Sequence, residues 1–279
     1  MKPTLEELIK DNLYNPKRKL FTFLTGAGVS AASGLPTYRS LDGIWIKGTK
    51  YHKPEEFGTF KYFSKNQEEV WQYNLFWKKL IDNALPNPSH YLLAELEEIL
   101  QEKFQLITQN IDGLHQKGGS KNVFEIHGNK RNVRCATECS GVLPMPENLK
   151  AKELTEDLLP YEIELLHCTK CGSWLRPNTL WFDEYYNEKN YFSDSALRAA
   201  KNTSILFIIG TSGATFLPQA IAEQVLGKGG YIVEINTEED SYFFKRFSKT
   251  KKYLFLNKNA SDALAEVKSI VADCYDLKK

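Results

Sequence analysis

The fold class is decided by the segment Lys19-Leu20-Phe21-Thr22-Phe23-Leu24-Thr25-Gly26-Ala27-Gly28-Val29-Ser30-Ala31. Its first part is an apolar run that is typical of a buried β-strand, and it leads directly into two glycines and a short predicted helix over about 30–34. The glycines fit the G-x-G-x-x-A variant of the dinucleotide fingerprint, in which the backbone approaches a pyrophosphate at a helix amino terminus. Taken alone, a tight strand-to-helix turn without a ligand explains the pattern equally well.

The same alternation of strands and helices continues along the chain. We predict further strands over about 104–109, 122–127, 204–209, 231–235 and 253–256. We predict helices over about 66–83, 89–102, 113–118, 216–227 and 260–273, with Ser89 as an N-cap. Strands that alternate with helices indicate a parallel sheet covered by helices, so the expected fold class is α/β.

Composition excludes several classes of protein. The 279 residues are 42% hydrophobic, which is enough for a sizeable core. The net charge is +1, from 36 basic and 35 acidic residues, so neither nucleic acid nor an anionic membrane is an expected partner. The apolar runs are too short to span a bilayer, and the start of the chain has no signal-like core. We therefore expect a soluble, cytoplasmic protein.

Four of the five cysteines are clustered between positions 135 and 171, in a segment over about 130–178 that interrupts the α/β alternation. Cys135 and Cys139 form one close pair, and Cys168 and Cys171 form another. Two thiolate pairs separated by a longer excursion predict a structural zinc site with four sulfur ligands and no open position. Redox pairs are the alternative, and His167 could compete as a ligand.

Small polar residues follow two of the later strands. Gly210-Thr211-Ser212-Gly213 comes after the strand over 204–209, and Asn236 ends the next one. At the carboxyl edge of a parallel sheet such groups favour a nucleotide crevice, although a capped turn explains each of them singly. The acidic residue expected about twenty residues after a dinucleotide glycine turn is missing, so an ordinary dehydrogenase is not expected.

The densest polar stretch is Thr108-Gln109-Asn110-Ile111-Asp112-Gly113-Leu114-His115, which follows the strand over 104–109. His127 comes twelve residues later, after another predicted strand, and is a candidate general base because imidazole titrates near neutral pH. His90 is expected to stabilise the start of its own helix, and His115 to be a structural helix residue.

Taken together these motifs resemble the sirtuins, which are NAD-dependent protein deacylases. The matching pieces run in the family's order and cover about residues 20–270: residues 26–39, Thr108 to His115, Glu125-Ile126-His127-Gly128, the four clustered cysteines, Leu175-Arg176-Pro177, and Gly210-Thr211-Ser212. The resemblance implies a Rossmann-like large domain over 1–35, 85–129 and 179–279. It also implies a cofactor-binding loop and helical module over 36–84 and a zinc module over 130–178.

The resemblance further implies that NAD lies across a cleft between these parts. Its contacts would be Gly26, Ala27, Gly28, Thr37, Tyr38, Arg39, Gln109, Asn110, Ile111, Asp112, Gly210, Thr211, Ser212, Asn236 and Ala260. Among these, Asn110 and Asp112 would orient the nicotinamide and its ribose, which makes Asn110 catalytic together with His127. The loop that carries Tyr38 would close over the reacting atoms.

The implied chemistry is the transfer of an acyl group from a protein lysine to ADP-ribose. The acyl oxygen attacks the anomeric carbon of NAD as nicotinamide leaves, and His127 takes a proton from a ribose hydroxyl. The segment Thr179, Leu180, Trp181 and Phe182 would bind the acylated protein or peptide by backbone addition. We expect a monomer.

The chain departs from the family pattern at three places. Thr37-Tyr38 replaces the usual Asp-Phe, and Asp183 replaces a glycine in the substrate segment. Members that prefer succinyl-lysine carry a Tyr-x-x-Arg pair where this chain has Asn74 and Trp77, so an acetyl or longer apolar acyl group is expected. NAD hydrolysis or ADP-ribosyl transfer in the same cleft is the alternative activity. A non-enzymatic module for nucleotide sensing or for zinc-dependent interaction is a third interpretation.

Overall fold

The computed structural model of the chain describes residues 2–17, 19–37, 46–47, 50–51 and 54–276. The strands are β1 Leu20–Thr25, β2 Ile46–Lys47, β3 Lys50–Tyr51, β4 Phe104–Thr108, β5 Val123–Glu125, β6 Gly128–Cys135, β7 Leu143–Pro144, β8 Leu175–Thr179, β9 Thr203–Ile209, β10 Tyr231–Asn236 and β11 Tyr253–Asn257. The helices are α1 Leu5–Asn12, α2 Gly28–Ala31, α3 Pro54–Phe57, α4 Phe60–Phe63, α5 Gln67–Asn83, α6 Pro88–Leu100, α7 Leu114–Lys117, α8 Pro160–Leu165, α9 Glu188–Tyr191, α10 Ser193–Lys201, α11 Phe216–Gly227, α12 Tyr242–Phe247 and α13 Ala260–Asp276.

The main sheet has six strands in the order β11-β10-β9-β1-β4-β5, and all of its pairs are parallel. The order reverses at β1, because the chain first builds outward through β4 and β5 and then returns to place β9 on the other side. The carboxyl ends are level, since Thr25 pairs with both Thr108 and Ile209. In open α/β sheets the crevice at such a reversal is where ligands bind.

Both faces of this sheet are covered by helices. One face forms a core with α1, α6 and α13, in which Phe23 stacks on Phe207 at 4.8 Å between ring centroids. The other face packs against α10, α11 and α12, with Ile208 and Ile221 fully buried. The predicted α/β class, with a parallel sheet and helices on both faces, is confirmed.

The start of α6 differs from the predicted one. Asn87, and not Ser89, is the N-cap, and its side chain accepts a hydrogen bond of 2.9 Å from the Ser89 amide. Pro88 occupies the first helical position, where its missing N–H costs nothing. The prediction of Ser89 as the cap was wrong because proline can begin the helix two residues earlier.

A smaller three-stranded sheet, β7-β6-β8, lies in the segment that interrupts the α/β alternation. Its core is shared with α3, α4 and α5: Phe63 and Trp71 pack with Val133, Leu166 and Leu175 in one apolar cluster. The indole N–H of Trp71 also donates to the Leu175 carbonyl at 2.8 Å. Two segments far apart in sequence therefore fold together.

The four clustered cysteines lie at one end of this smaller sheet. The sulfur atoms of Cys135, Cys139, Cys168 and Cys171 all lie within 4.8 Å of one another. Four thiolates around a zinc ion at about 2.3 Å fit this spacing. Hydrogen bonds, led by those of the Ser173 and Thr137 hydroxyls, lower the pKa of Cys171 to about 5, whereas the neighbouring thiols raise the pKa of Cys139. A metal would bind the four sulfurs as thiolates. The cluster is thus suited to one zinc ion, and His167 instead contacts the Ile163 carbonyl.

No helix in the described ranges is both long enough and apolar enough to cross a membrane.

Removing a cysteine of the cluster should remove the metal and destabilise the smaller sheet. We expect Cys139→Ala to lose the single bound zinc and to melt at a lower temperature, because metal ligation supplies part of the folding free energy. Zinc content by atomic absorption and thermal melting by circular dichroism measure both effects. Cys274→Ala is the matched control, since Cys274 lies in the core of the main sheet. Full zinc content in Cys139→Ala would contradict the assignment.

Candidate active site

Two glycine turns meet at the point where the strand order reverses. The amide of Gly28 donates to the Gly210 carbonyl at 2.9 Å, and the amide of Gly26 donates to the Ile209 carbonyl at 3.0 Å. A Cβ on Gly28 would lie 2.8 Å from the Gly210 Cα, and one on Gly26 would lie 2.5 Å from the Thr211 Cβ. The glycines are therefore required by this close approach of two backbones, in addition to any ligand.

Gln109 connects the ends of three strands. Its side-chain amide donates to the Thr211 hydroxyl at 2.9 Å and to the Thr25 carbonyl at 3.3 Å. The hydroxyl of Thr215 donates to the Gln109 side-chain carbonyl at 3.5 Å. The polar stretch after β4 and the turn after β9 thus form one edge.

Ser30, which the sequence analysis did not single out, is the centre of a buried polar network. Its hydroxyl accepts a hydrogen bond of 3.1 Å from the Asn110 side-chain amide and donates one of 2.7 Å to the Asp112 carboxylate. The second carboxylate oxygen of Asp112 accepts from the Leu114 amide at 2.9 Å. The position of Ser30 in the first turn after the glycine pair was the available sequence clue.

Two neutral histidines, His90 and His115, lie beside this network. Nδ1 of His90 accepts from the Asn87 amide at 3.2 Å, so its proton is on Nε2, which lies 3.4 Å from the Ser30 hydroxyl. Nε2 of His115 donates to the Thr25 hydroxyl at 2.9 Å, because that hydroxyl gives its own proton to Thr108. Burial lowers the pKa of His90 and lowers that of His115 to about 3. His90 stabilises the start of α6 through the Asn87 amide, as expected.

His127 has the geometry of a general base. Its Nδ1 lies 3.0 Å from the Gln109 carbonyl, which can only accept, so Nδ1 carries the proton. Its Nε2 therefore carries a lone pair, which accepts from the Tyr186 hydroxyl at 2.9 Å. Burial lowers the pKa of His127 to about 4, with the Gln109 hydrogen bond opposing, so the ring is neutral at pH 7.

The predicted substrate segment begins where β8 ends. Thr179 pairs with Gly128 across the smaller sheet, and the Leu180 amide donates to the His127 carbonyl at 2.9 Å. The Trp181 amide donates to Glu184 at 3.0 Å, and the Phe182 amide to the Gly58 carbonyl at 2.9 Å. A peptide added at residues 180–182 therefore cannot use these amide donors unless the existing contacts break.

A buried ion pair fixes the same segment, and no feature of the sequence had indicated it. The Arg176 guanidinium forms a two-pronged pair with the Glu184 carboxylate, with Nη2 to Oε2 at 2.8 Å, and Arg134 donates to the same carboxylate at 3.0 Å. Arg176 also lies 3.5 Å from the centroid of the Trp181 ring. Breaking a buried pair of this kind typically costs about 3–5 kcal/mol.

Asp183, which departs from the family's glycine, has a clear structural role. Its carboxylate accepts hydrogen bonds from the amides of Phe60 at 2.7 Å and Lys61 at 3.0 Å, at the start of α4. The substitution therefore caps a helix.

Lys130 is a second residue that the sequence analysis missed. Its amine donates to the Asn74 side-chain carbonyl and lies 5.9 Å from the centroid of the Trp77 ring. Burial lowers the pKa of Lys130 to about 7. The Lys130 amine thus lies beside Asn74 and Trp77, where the sequence predicted no cation. Lys130 and Asn74 are 56 residues apart, and the packing of β6 against α5 brings them together.

The other predicted cofactor residues follow the same edge. The Asn236 side chain donates to the Thr211 carbonyl at 3.4 Å, and the Ser212 carbonyl accepts from the Tyr242 amide at 2.9 Å. Ile111 accepts from the Lys130 amide at 3.0 Å. Ala260 begins α13. Thr37 is described, whereas Tyr38 and Arg39 lie outside the described residues.

The edge as a whole suits a nucleotide with a reactive sugar. Backbone at the glycine turns, the hydroxyl of Thr211 and the amides of Gln109 and Asn236 can contact phosphate and ribose oxygens. The neutral imidazole of His127 can accept a proton. The cysteine cluster lies at the far end of β6, roughly 25 Å along an eight-residue strand, so a metal bound there would be too far from His127 to touch the same ligand.

The comparisons with known proteins agree with this geometry. Residues 26–216 match the model of the Sir2 family. The NAD-dependent protein deacylase of Pyrococcus furiosus is 41% identical over 80% of this chain and 83% of its own length. That of Leptospira interrogans (strain Fiocruz L1-130) is 35% identical over 91% of this chain and 94% of its own.

Solved structures show the same fold over the whole chain. A mutant of a Sir2 homologue in complex with ADP-ribose has a TM-score of 0.79 and 32% identity, covering 100% of both chains. A Sir2 homologue in complex with NAD has a TM-score of 0.77 and 32% identity, covering 98% of this chain and 96% of its own. The chain belongs to the Sir2 family.

Proposed function

We propose that the protein is an NAD-dependent protein-lysine deacylase that acts most readily on acetyl-lysine. The observation that carries the proposal is the neutral His127, whose Nε2 is in the proton-accepting form, next to the Asn110–Ser30–Asp112 network at the carboxyl edge of the sheet. Relatives and solved structures of the same family are named as NAD-dependent deacylases and as complexes with NAD or ADP-ribose.

The residues along the edge would hold NAD, which supplies the ribosyl carbon that accepts the acyl oxygen as nicotinamide leaves. Gly26, Ala27 and Gly28 would contact the phosphates, with Thr37, Tyr38 and Arg39 in the segment that follows. Gly210, Thr211, Ser212, Asn236 and Ala260 would hold the adenosine end. Gln109, Asn110, Ile111 and Asp112 would hold the nicotinamide riboside end.

Two groups then have defined tasks. Nε2 of His127 accepts a proton from a substrate hydroxyl, while the hydrogen bond from Nδ1 to Gln109 keeps the ring in that orientation. Ser30 holds Asn110 and Asp112 at fixed positions through its hydroxyl, so that their remaining polar atoms need no rearrangement when the substrate arrives.

The division into domains is also a proposal. Residues 1–35, 85–129 and 179–279 would form the NAD-binding domain, residues 36–84 the cofactor loop and helical module, and residues 130–178 the zinc module. The core that α5 shares with the smaller sheet supports grouping the last two as one small domain. The zinc would be structural, since all four sulfurs are supplied by the chain.

The substrates would be acylated proteins or peptides, bound along residues 179–182. The thiolate cluster requires a reducing compartment, which supports a cytoplasmic location. The monomeric state remains a prediction.

The first test is turnover of acyl-lysine peptides with NAD, read by mass spectrometry. We expect acetyl-lysine to be used faster than succinyl-lysine, since the Lys130 amine is already bound by Asn74. A faster reaction with succinyl-lysine would mean that Lys130 accepts the carboxylate. Nicotinamide release that does not depend on peptide would contradict the deacylase assignment.

His127→Ala should lower kcat by about 10²–10⁴-fold, because it removes the proton acceptor. NAD binding, followed by calorimetry, should change little. The control is His167→Ala, a partly buried histidine whose ring contacts the Ile163 carbonyl in the zinc module. Comparable losses of turnover in both variants would exclude a specific role for His127.

The pH dependence follows from the depressed pKa of His127. The neutral ring is the active form, so kcat/KM should stay level from pH 8 downward and fall as the pH passes through about 4. An unperturbed histidine would place this fall near pH 6.5. The profile is to be measured only where circular dichroism shows a folded protein, and a fall centred near pH 6.5 would overturn the assignment of His127 as a buried neutral base.

Ser30→Ala should lower kcat/KM by about 10–100-fold, because Asn110 and Asp112 lose their common partner. It should also destabilise the fold by about 1–3 kcal/mol, since buried polar groups lose a hydrogen bond. Ser33→Ala is the matched control: Ser33 lies just after the same helix, but its hydroxyl accepts from Asn87 instead. Steady-state kinetics and thermal melts distinguish the two variants, and unchanged turnover in Ser30→Ala would remove Ser30 from the site.

A further inference from the structure

The hydroxyl of Tyr186 contacts His127, the proposed general base. Its hydroxyl oxygen lies 2.9 Å from Nε2 of His127, while the two ring centroids are 5.9 Å apart. The contact is therefore a hydrogen bond and not a stacking interaction. The Tyr186 ring packs against the apolar cluster on the face of the sheet that α11 covers, which fixes the hydroxyl in place.

The direction of this hydrogen bond is set by the other ring nitrogen of His127. Nδ1 of His127 carries the proton that goes to the Gln109 carbonyl, so Nε2 can only accept from Tyr186. Burial raises the pKa of Tyr186. The phenol thus stays protonated and donates to His127.

We propose that Tyr186 is a positioning residue for His127: its hydroxyl holds the imidazole with the lone pair on Nε2 and occupies that lone pair until a substrate hydroxyl replaces it. The proposal rests on the proposed function only for the identity of the incoming hydroxyl. The replacement exchanges one O–H···N hydrogen bond for another, so the buried lone pair is paired both before and after substrate binds. The substrate proton then moves to Nε2, and Tyr186 keeps its own.

The carboxylates on the elements around His127 already bind other residues, so Tyr186 is the partner to test. Asp112, on the neighbouring loop, binds Ser30 and the Leu114 amide, and Glu184, beyond β8, binds Arg176 and Arg134. On α11, Glu223 binds Tyr242. Among the residues that the structure describes, no charged group contributes to the pKa of His127.

A donor to the lone pair stabilises the neutral ring, so its removal must raise the pKa of His127. We expect Tyr186→Phe to raise it by about half a unit to one unit, which is the shift that one hydrogen bond produces. Because phenylalanine keeps the ring that packs against the cluster, the melting temperature should stay within a few degrees of the wild type.

The experiment is a histidine titration of the full chain by NMR, with isotope-labelled imidazole and without NAD or peptide. Tyr185→Phe is the matched control, because Tyr185 is the next residue and is 90% exposed. A raised His127 pKa in Tyr186→Phe and an unchanged one in Tyr185→Phe support the proposal. An unchanged pKa in Tyr186→Phe, or equal shifts in both variants, overturns it.

The kinetic readout is separate from the titration. In Tyr186→Phe the acid limb of kcat/KM should move to higher pH by the same amount as the NMR pKa, while Tyr185→Phe keeps the wild-type limb. If the NMR shift occurs but no peptide is deacylated by any variant, the proposed function fails and the hydrogen bond to His127 stands. If deacylation occurs and the acid limb does not move, the positioning role fails alone.

Discussion

The structure depends on the close contact between two backbone turns, in which the Gly28 amide donates to the Gly210 carbonyl at 2.9 Å. The contact sets the ends of β1 and β9 side by side where the strand order reverses. Ser30, one turn further on, is thereby directed at Asn110 and Asp112. Any side chain at position 28 would collide with Gly210 and separate these ends.

Three histidines in this region show that neighbours, and not residue type, decide the role. Each is neutral because it is buried. His90 and His115 direct their protonated Nε2 atoms at hydroxyl groups that are themselves buried, so they have no lone pair to offer a ligand from that side. His127 has the opposite tautomer, because the Gln109 carbonyl takes the proton of Nδ1. The Gln109 carbonyl therefore decides that His127 can act as a base, whereas His90 and His115 cannot from their Nε2 side.

The sequence was sufficient for the parts of the protein that depend on local pattern. Apolar runs and glycine turns predicted the strands of the main sheet, and the spacing of the cysteines predicted the cluster. It failed where a contact joins distant segments. Lys130 contacts Asn74, and Tyr186 contacts His127, only because β6 and β8 pair in the small sheet. Neither contact joins residues at a regular sequence spacing, so no pattern in the sequence indicates it. The cap of α6 was misplaced by two residues because proline could open the helix.

Asp183 has a consequence for how firmly α4 is attached to the segment after β8. Its carboxylate holds the amides of Phe60 and Lys61, and the neighbouring Phe182 amide holds the Gly58 carbonyl. Any hinge-like separation of α4 from the segment after β8 has to break all three hydrogen bonds in one event. With a glycine at position 183 the two charge-assisted bonds would be absent. Asp183 therefore adds resistance to a separation of α4 from this segment, beyond what the Phe182 amide supplies alone.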